Sequence, residues 1–266
     1  MRPAAIGLFL LAPWTAECSW GGFTVVDFPF VIAILAPLYG GAAVLIRELA
    51  RRTGRGWPTI VLLAAAFGFV QAGLVDQSLL NPGFLDDTEF RDQAAAAQAT
   101  AIPGLGISVE HLLDYVGNHI ALSICAPIAI VESIVVPQRR HDRWLGWPGL
   151  AIVALLYLGG SLLIYADTAG GDAFTPGAMQ VAVVVATTLA LIGAGFAIRP
   201  RPQTVRPEQP AAVRPLWVGG LVVAAHLVGW LASGWAAVAL RLVAAMVVVV
   251  VVVGWSRRPG WGQPHV

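Results

Sequence analysis

The chain has 266 residues, 58% of them hydrophobic and 12% charged, about half the roughly 25% charge of an ordinary soluble domain. With a mean hydropathy of +0.75, a soluble globular domain and a disordered chain are both excluded. The net charge of +1 leaves no basic field to hold a phosphate backbone, which excludes a nucleic-acid binder and leaves a lipid bilayer as the expected partner.

A membrane-crossing helix needs about 20 apolar residues. The first candidate, Pro3–Gly21, has an apolar part that ends near Trp14, with Glu17 beyond it. It reads either as a retained short helix whose Glu17 faces other helices or as a cleaved signal peptide with a single Arg ahead of its apolar run. Seven further spans follow, roughly Phe28–Leu49, Trp57–Leu80, Ile107–Val136, Leu145–Tyr165, Pro176–Ile198, Leu216–Ser233 and Gly234–Trp255. The predicted fold is an all-α polytopic transmembrane bundle of about eight helices. Residues 1–198 form its six-helix front part, 199–215 a cytoplasmic linker rich in Pro and Arg, and 216–266 a two-helix back part with a short cytoplasmic tail.

Arginine positions orient this arrangement. The chain has no Lys. Arg2, Arg47, Arg51, Arg52, Arg55, Arg139, Arg140, Arg143, Arg199, Arg201, Arg206, Arg214, Arg257 and Arg258 fall on one side, while Arg91 falls on the other and Arg241 within the last span. The positive-inside rule then places both termini in the cytoplasm, in keeping with a bacterial inner membrane. Arg47 and Glu48 end the second helix just before Arg51 and Arg52, and these basic groups are expected to bind lipid head groups and set topology. Glu132 is expected to pair locally with Arg139 or Arg140. The outer loop Asn81–Gly106 carries Asp86, Asp87, Glu89 and Asp92 and then the run Ala94–Ala97; it reads as a short surface helix or as a lid. Cys18 and Cys125 both lie in apolar stretches and read as two small buried thiols.

Ionisable groups within spans are costly and mark sites or structural pairs. Gln71, Asp76, Gln77 and Asn81 occupy the outer half of the third helix, and Glu110, His111, Asp114, Asn118 and His119 the outer half of the fourth. Glu17, His226 and Arg241 fall at similar depth in other helices. At 100° per residue Glu110, Asp114, Asn118, Cys125 and Glu132 share one face of the fourth helix, whereas His119 looks elsewhere. Pro127 frees a carbonyl near Ser123 and is expected to kink this helix. The candidate ligand or proton groups are Asp76, Asp114, Asn118, His119, His226, Arg241, Gln71 and Glu17. Structural pairing of Asp76 or Asp114 with Arg241, or of Glu17 with His226, is the competing reading, and Glu110 and His111 also read as interfacial groups reaching water.

No P-loop, dinucleotide fingerprint, paired CxxC or HExxH is present. The stretch Leu45–Arg52, Gly56-Trp57-Pro58, Ala66–Pro82, Asn118-His119 and Pro127–Glu132 resembles an uncharacterised group of actinobacterial multi-pass membrane proteins. A more distant resemblance is to the CAAX-protease and bacteriocin-immunity (CPBP) family of intramembrane proteases, which carries EExxxR on one helix and FxxxH on a later one. Gln71-Ala72 with Asp76 occupies the first spacing, and Tyr115-xxx-His119 is similar to the second. Both glutamates and the Arg of the first motif are missing, and His226 lacks the Asn that follows the family's other histidine. The family's glutamate and histidines bind metal and activate water, which needs ligands and a general base. Gln71 and Ala72 supply neither, so the resemblance implies a member that has lost this chemistry. The sequence therefore predicts a non-enzymatic binding or transport-type protein for a small solute, proton or lipid-like molecule, with a polar cavity in the outer half of the membrane and neither cofactor nor metal. The alternatives are a structural or immunity-type membrane partner, or a degenerate CPBP-like protease.

Overall fold

The computed structural model describes residues 3–19, 22–171, 174–198 and 211–266. Most of the expected linker, with Arg199, Arg201 and Arg206, lies outside these residues, as does Arg2. Among the described residues every regular element is helical, and the β contact seen is an isolated antiparallel bridge between Ala101 and Ser108. In chain order the main helices are α1 (Pro3–Cys18), α2 (Val25–Arg52), α3 (Trp57–Val75), α4 (Arg91–Ala97), α5 (Val109–Ile134), α6 (Trp147–Gly171), α7 (Ala178–Ala197), α8 (Pro215–Leu231) and α9 (Gly234–Trp255).

Six of these, α2, α3, α5, α6, α7 and α9, are long and apolar enough to cross a membrane. Helices α1 and α8 are apolar but shorter; at 1.5 Å per residue neither matches a hydrocarbon core of about 30 Å. In the loop Asn81–Gly106 the expected short surface helix is present as α4, with Ala94 and Ala97 buried.

Helix ends follow local chemistry. Pro58 and Pro215 sit in the first turns of α3 and α8, where a missing N–H costs nothing. Ser108 caps α5 by accepting the His111 N–H, 3.2 Å. Helix α3 stops earlier than expected: Gln77 adopts φ 60°, a left-handed conformation that ends the helix, so Gln77 and Asn81 lie in the turn after it.

The core is built on α1, α2, α3 and α5. Leu8, Val31, Leu38, Val44, Ile60, Ile124 and Ile128 are fully buried in one apolar cluster. Small residues let backbones touch, as membrane interfaces favour. A Cβ on Gly40 would overlap the Phe9 carbonyl oxygen, and one on Gly160 would lie 2.8 Å from the Leu38 nitrogen. Helix α3 runs against α7, where Thr59 Oγ1 donates to the Gly195 carbonyl, 2.9 Å. The most apolar stretches of α2 and α3 are 56% and 61% buried, against 11%, 17% and 11% for α6, α7 and α9. The second group therefore turns apolar side chains such as Leu155, Leu162, Leu189 and Met246 outward, where only lipid suits them. Helices α8 and α9 pack on each other, with α9 also touching α5. The C-terminal tail ties this pair down, since Gln263 Nε2 donates to the Ala129 carbonyl at 3.2 Å and His265 Nε2 meets the Val213 carbonyl at 2.8 Å.

Candidate functional site: buried polar groups on π-helical turns

Four buried or half-buried polar side chains sit on π-helical turns of four different helices. Glu17 lies in Trp14–Cys18, Tyr39 in Val31–Gly40, Gln71 in Gln71–Val75 and His119 in His119–Cys125. A π turn accommodates one extra residue at the expense of hydrogen-bond geometry, and such turns gather at functional sites. Proline explains part of the loosening: Pro13 precedes the first turn, Pro37 lies within the second and Pro127 follows the fourth, each removing a backbone donor.

Side-chain contacts join Glu17, Tyr39 and His119, and separately Gln71 and Asp76. The Tyr39 hydroxyl donates to Glu17 Oε1 at 2.5 Å. The Tyr39 ring lies 5.9 Å from the His119 ring, and Phe67 stands edge-on to both, 6.3 and 5.5 Å away. His119 Nδ1 shares a hydrogen bond with Ser123 Oγ, 3.1 Å. On α3, Gln71 Nε2 donates to Asp76 Oδ2 at 3.1 Å, and the Ser78 N–H donates to Asp76 Oδ1 at 2.9 Å. Asp76 is within electrostatic reach of Glu17, Tyr39 and Tyr115. Gln71 is 1% exposed, and its Oε1 has no hydrogen-bond partner. Among the described residues, neither Glu17 nor Asp76 has a basic partner.

The other candidates from the sequence lie elsewhere. Asp114 and Arg241 form an ion pair at 2.7 Å between α5 and α9, with side chains 48% and 27% exposed. Asn118 and His226 are exposed, and the His226 ring faces Trp230, 6.3 Å away. Of the expected structural pairs, Asp114 with Arg241 forms; Glu17 takes Tyr39 in place of His226. His111 is buried beside the Tyr115 ring, 5.2 Å away. Tyr39 was not among the sequence candidates. Its signal was a lone hydroxyl in an apolar run, two residues after a proline.

The shared face expected along α5 is not maintained. Asp114 and Asn118 are exposed while Glu132 is fully buried. The π turn between them adds one residue, and each added residue rotates the rest of the helix by about 100°.

At the opposite end of the bundle, Arg47, Glu48 and Glu132 have no exposed side-chain surface. Arg47 Nε donates to Glu132 Oε1 at 3.1 Å and its Nη1 to Glu48 Oε1 at 2.7 Å. Arg51 grips Glu132 with two bonds, 2.9 and 2.6 Å. Arg52 donates to Glu48 Oε2 at 3.2 Å and to the Leu145 carbonyl. The Arg47 guanidinium also stacks 3.5 Å over Trp144. These groups hold the loop after α5 against α2, so Arg47, Arg51 and Arg52 are engaged inside the protein and not with lipid head groups as expected. Arg140 reaches Glu132 through its backbone carbonyl, 2.7 Å, and not through the carboxylate. In this loop, loss of hydration and then the facing Arg51 hold the His141 imidazole below its ordinary value, against the pull of Glu132. Cys18 and Cys125 are free and half-buried.

Among the described residues, no group of three or more His, Cys, Asp or Glu is placed to hold a metal ion. Fold and site together define an all-helical membrane protein with a polar cluster among its central helices. Compared with protein-family models, with curated proteins and with solved structures, the chain matches none.

Proposed function

We infer that the protein binds or carries a small solute, a proton or a lipid-like molecule, without enzymatic chemistry, at the cluster of Glu17, Tyr39, Gln71, Asp76 and His119. One observation carries the reading. Among the described residues, two acids, Glu17 and Asp76, stand among central helices without a basic partner, beside a buried Gln71 whose Oε1 lacks a donor. A purely structural cluster is expected to satisfy its own members, because each unsatisfied buried group costs about 1–3 kcal/mol. Functional sites are where such costs persist.

In this reading α1 is retained and the chain crosses the bacterial cytoplasmic membrane eight times. The two shorter helices sit in a locally thinned bilayer. The Arg-rich end faces the cytoplasm, with both termini, as the positive-inside rule favours. The polar cluster then opens toward the outer half of the membrane, and the Arg47–Glu48–Glu132 clasp seals the inner end. The test is reconstitution of the purified full chain into proteoliposomes holding a pH-sensitive dye under an imposed potential. Proton flux should appear with the native chain and fall at least tenfold with Asp76→Asn or Glu17→Gln. Equal flux in native, variant and empty vesicles would remove the carrier reading.

A further inference from the structure

A second set of charges lies on the outside of the bundle, away from the polar cluster. Asp114 and Arg241 meet at 2.7 Å between α5 and α9, with side chains 48% and 27% exposed. At 1.5 Å per residue, Asp114 lies about 8 Å and Arg241 about 10 Å inside the ends of their helices. That depth is near the level where hydrocarbon gives way to head groups. Charged groups in membrane spans ordinarily face the bundle interior or a water-filled cavity, yet these two are open to the surroundings. The pair also has bonding capacity to spare. Arg241 gives Asp114 Oδ1 one of its five N–H donors, and among the described residues Asp114 Oδ2 accepts no hydrogen bond.

The surroundings make a seam. Helix α9 meets α5 along Val109–Asn118, and the turn Gln98–Thr100 packs on α9 at the same end. Toward the other end the tail ties back to α5 through Gln263 and the Ala129 carbonyl. Asn118 and Ala121 lie on α5 between these two ties, and both are exposed. Gly229 of α8 lies against the Arg241 side chain: a Cβ there would be 2.8 Å from Arg241 Cγ and Nε, so α8 limits the swing of the guanidinium. Glu110 stands one turn from Asp114 toward the helix start, on the same face. It is half-buried and, among the described residues, has no ion pair.

We propose that this seam binds a phospholipid whose zwitterionic head group carries a primary ammonium, of the phosphatidylethanolamine type. The phosphate takes the free donors of Arg241, as guanidinium and phosphate pair well. The ammonium brings three donors to Asp114 and Glu110. An acyl chain lies along the open flank of α5 past Asn118 and Ala121. Charge complementarity selects this occupant. Two acids beside one arginine repel a purely anionic head group, and a quaternary ammonium offers charge without an N–H. The site is separate from the polar cluster and stands whether or not a solute or proton passes there. In the proposed orientation it belongs to the outer leaflet.

The experiment uses the purified full chain in detergent micelles, with thermal unfolding followed at constant ionic strength. Phosphatidylethanolamine, phosphatidylcholine or phosphatidylglycerol, with the same acyl chains, is titrated into the micelles. Phosphatidylethanolamine should stabilise saturably, by about 5 °C at a hundredfold excess over Kd. The other two should need at least tenfold more lipid for the same shift. Arg241→Ala and Asp114→Asn should each raise the apparent Kd for phosphatidylethanolamine at least tenfold. Glu110→Gln keeps the ion pair, and with it the fold, and should narrow the preference for phosphatidylethanolamine over phosphatidylglycerol. No response to phosphatidylethanolamine, equal stabilisation by all three lipids, a preference for phosphatidylglycerol, or an unaltered response in the three variants overturns the proposal. So does a dimer that Arg241→Ala dissolves in the absence of any lipid response, which would give the seam to a second copy of the chain.

Discussion

Three carboxylates inside this protein fall into two opposite kinds of surroundings, fully buried Glu132 and Glu48 against half-buried Asp76. Glu132 is wrapped by Arg47 and Arg51 and Glu48 by Arg47 and Arg52, whereas Asp76 accepts from neutral donors, the Gln71 amide and the Ser78 N–H. Removing one member of a buried ion pair leaves the other uncompensated, a loss of about 3–5 kcal/mol. Glu132→Ala should therefore unfold well below the native chain in a thermal melt, because two guanidiniums lose their anion. Arg241→Ala, which breaks a partly exposed pair, should cost at most about 1 kcal/mol. Comparable losses in the two variants would contradict the contrast in burial. His141 adds a pH dependence. Its folded pKa lies below the unfolded value, so the unfolded chain takes up the proton more readily. Stability should be full above about pH 6.5 and should fall as the pH drops below it. The same titration on His141→Gln should show a shallower decline.

At the scale of elements, the spacing of helix contacts depends on absent side chains. Gly40 has the Phe9 carbonyl where its Cβ would be. Gly40→Ala should separate α1 from α2 and lower stability by about 1–3 kcal/mol or more, seen as an earlier melt and easier proteolysis of the N-terminal helix; an unchanged melt would mean that α1 does not pack there. Helix existence was legible from hydropathy. The last apolar run predicts a helix over Gly234–Trp255, and α9 has the same bounds. Helix phase was not legible. The periodicity of α5 put Asp114, Asn118 and Glu132 on one face, and a single extra residue in the π turn His119–Cys125 turned Glu132 inward to Arg47. The stop of α3 is hidden for a similar reason: a left-handed Gln77 carries no signal of the kind a glycine would. Of the candidate site, Glu17, Gln71, Asp76 and His119 were visible as polar residues in apolar surroundings. Their partner Tyr39 was hidden because an aromatic residue in a membrane span ordinarily reads as packing.

For the whole molecule, the division between half-buried α2 and α3 and outward-facing α6, α7 and α9 describes a core screened by lipid-facing helices. With Cys18 and Cys125 replaced by Ala, single cysteines at Asp87, Gln138 and Ser256 test the proposed sidedness. A membrane-impermeant maleimide should label Asp87→Cys in intact cells, and should label Gln138→Cys and Ser256→Cys only after permeabilisation. Labelling of Ser256→Cys in intact cells would reverse the proposed orientation or change the number of crossings. The two ends of the bundle then have different tasks. The Arg–Glu clasp ties α2 to α5 and the loop after it, and the proposed function falls to the polar cluster.

That difference is tested most directly by one comparison of melting temperatures at neutral pH, in N-methyl-D-glucamine buffer free of small cations. Asp76→Asn removes an uncompensated charge while its new amide keeps an acceptor for Ser78, so the account predicts a higher melting temperature than the native chain, as when a strained functional group is neutralised. Glu132→Gln removes a compensated charge and should melt lower. If Asp76→Asn falls as far as Glu132→Gln, Asp76 is a structural residue and the account of the site is wrong.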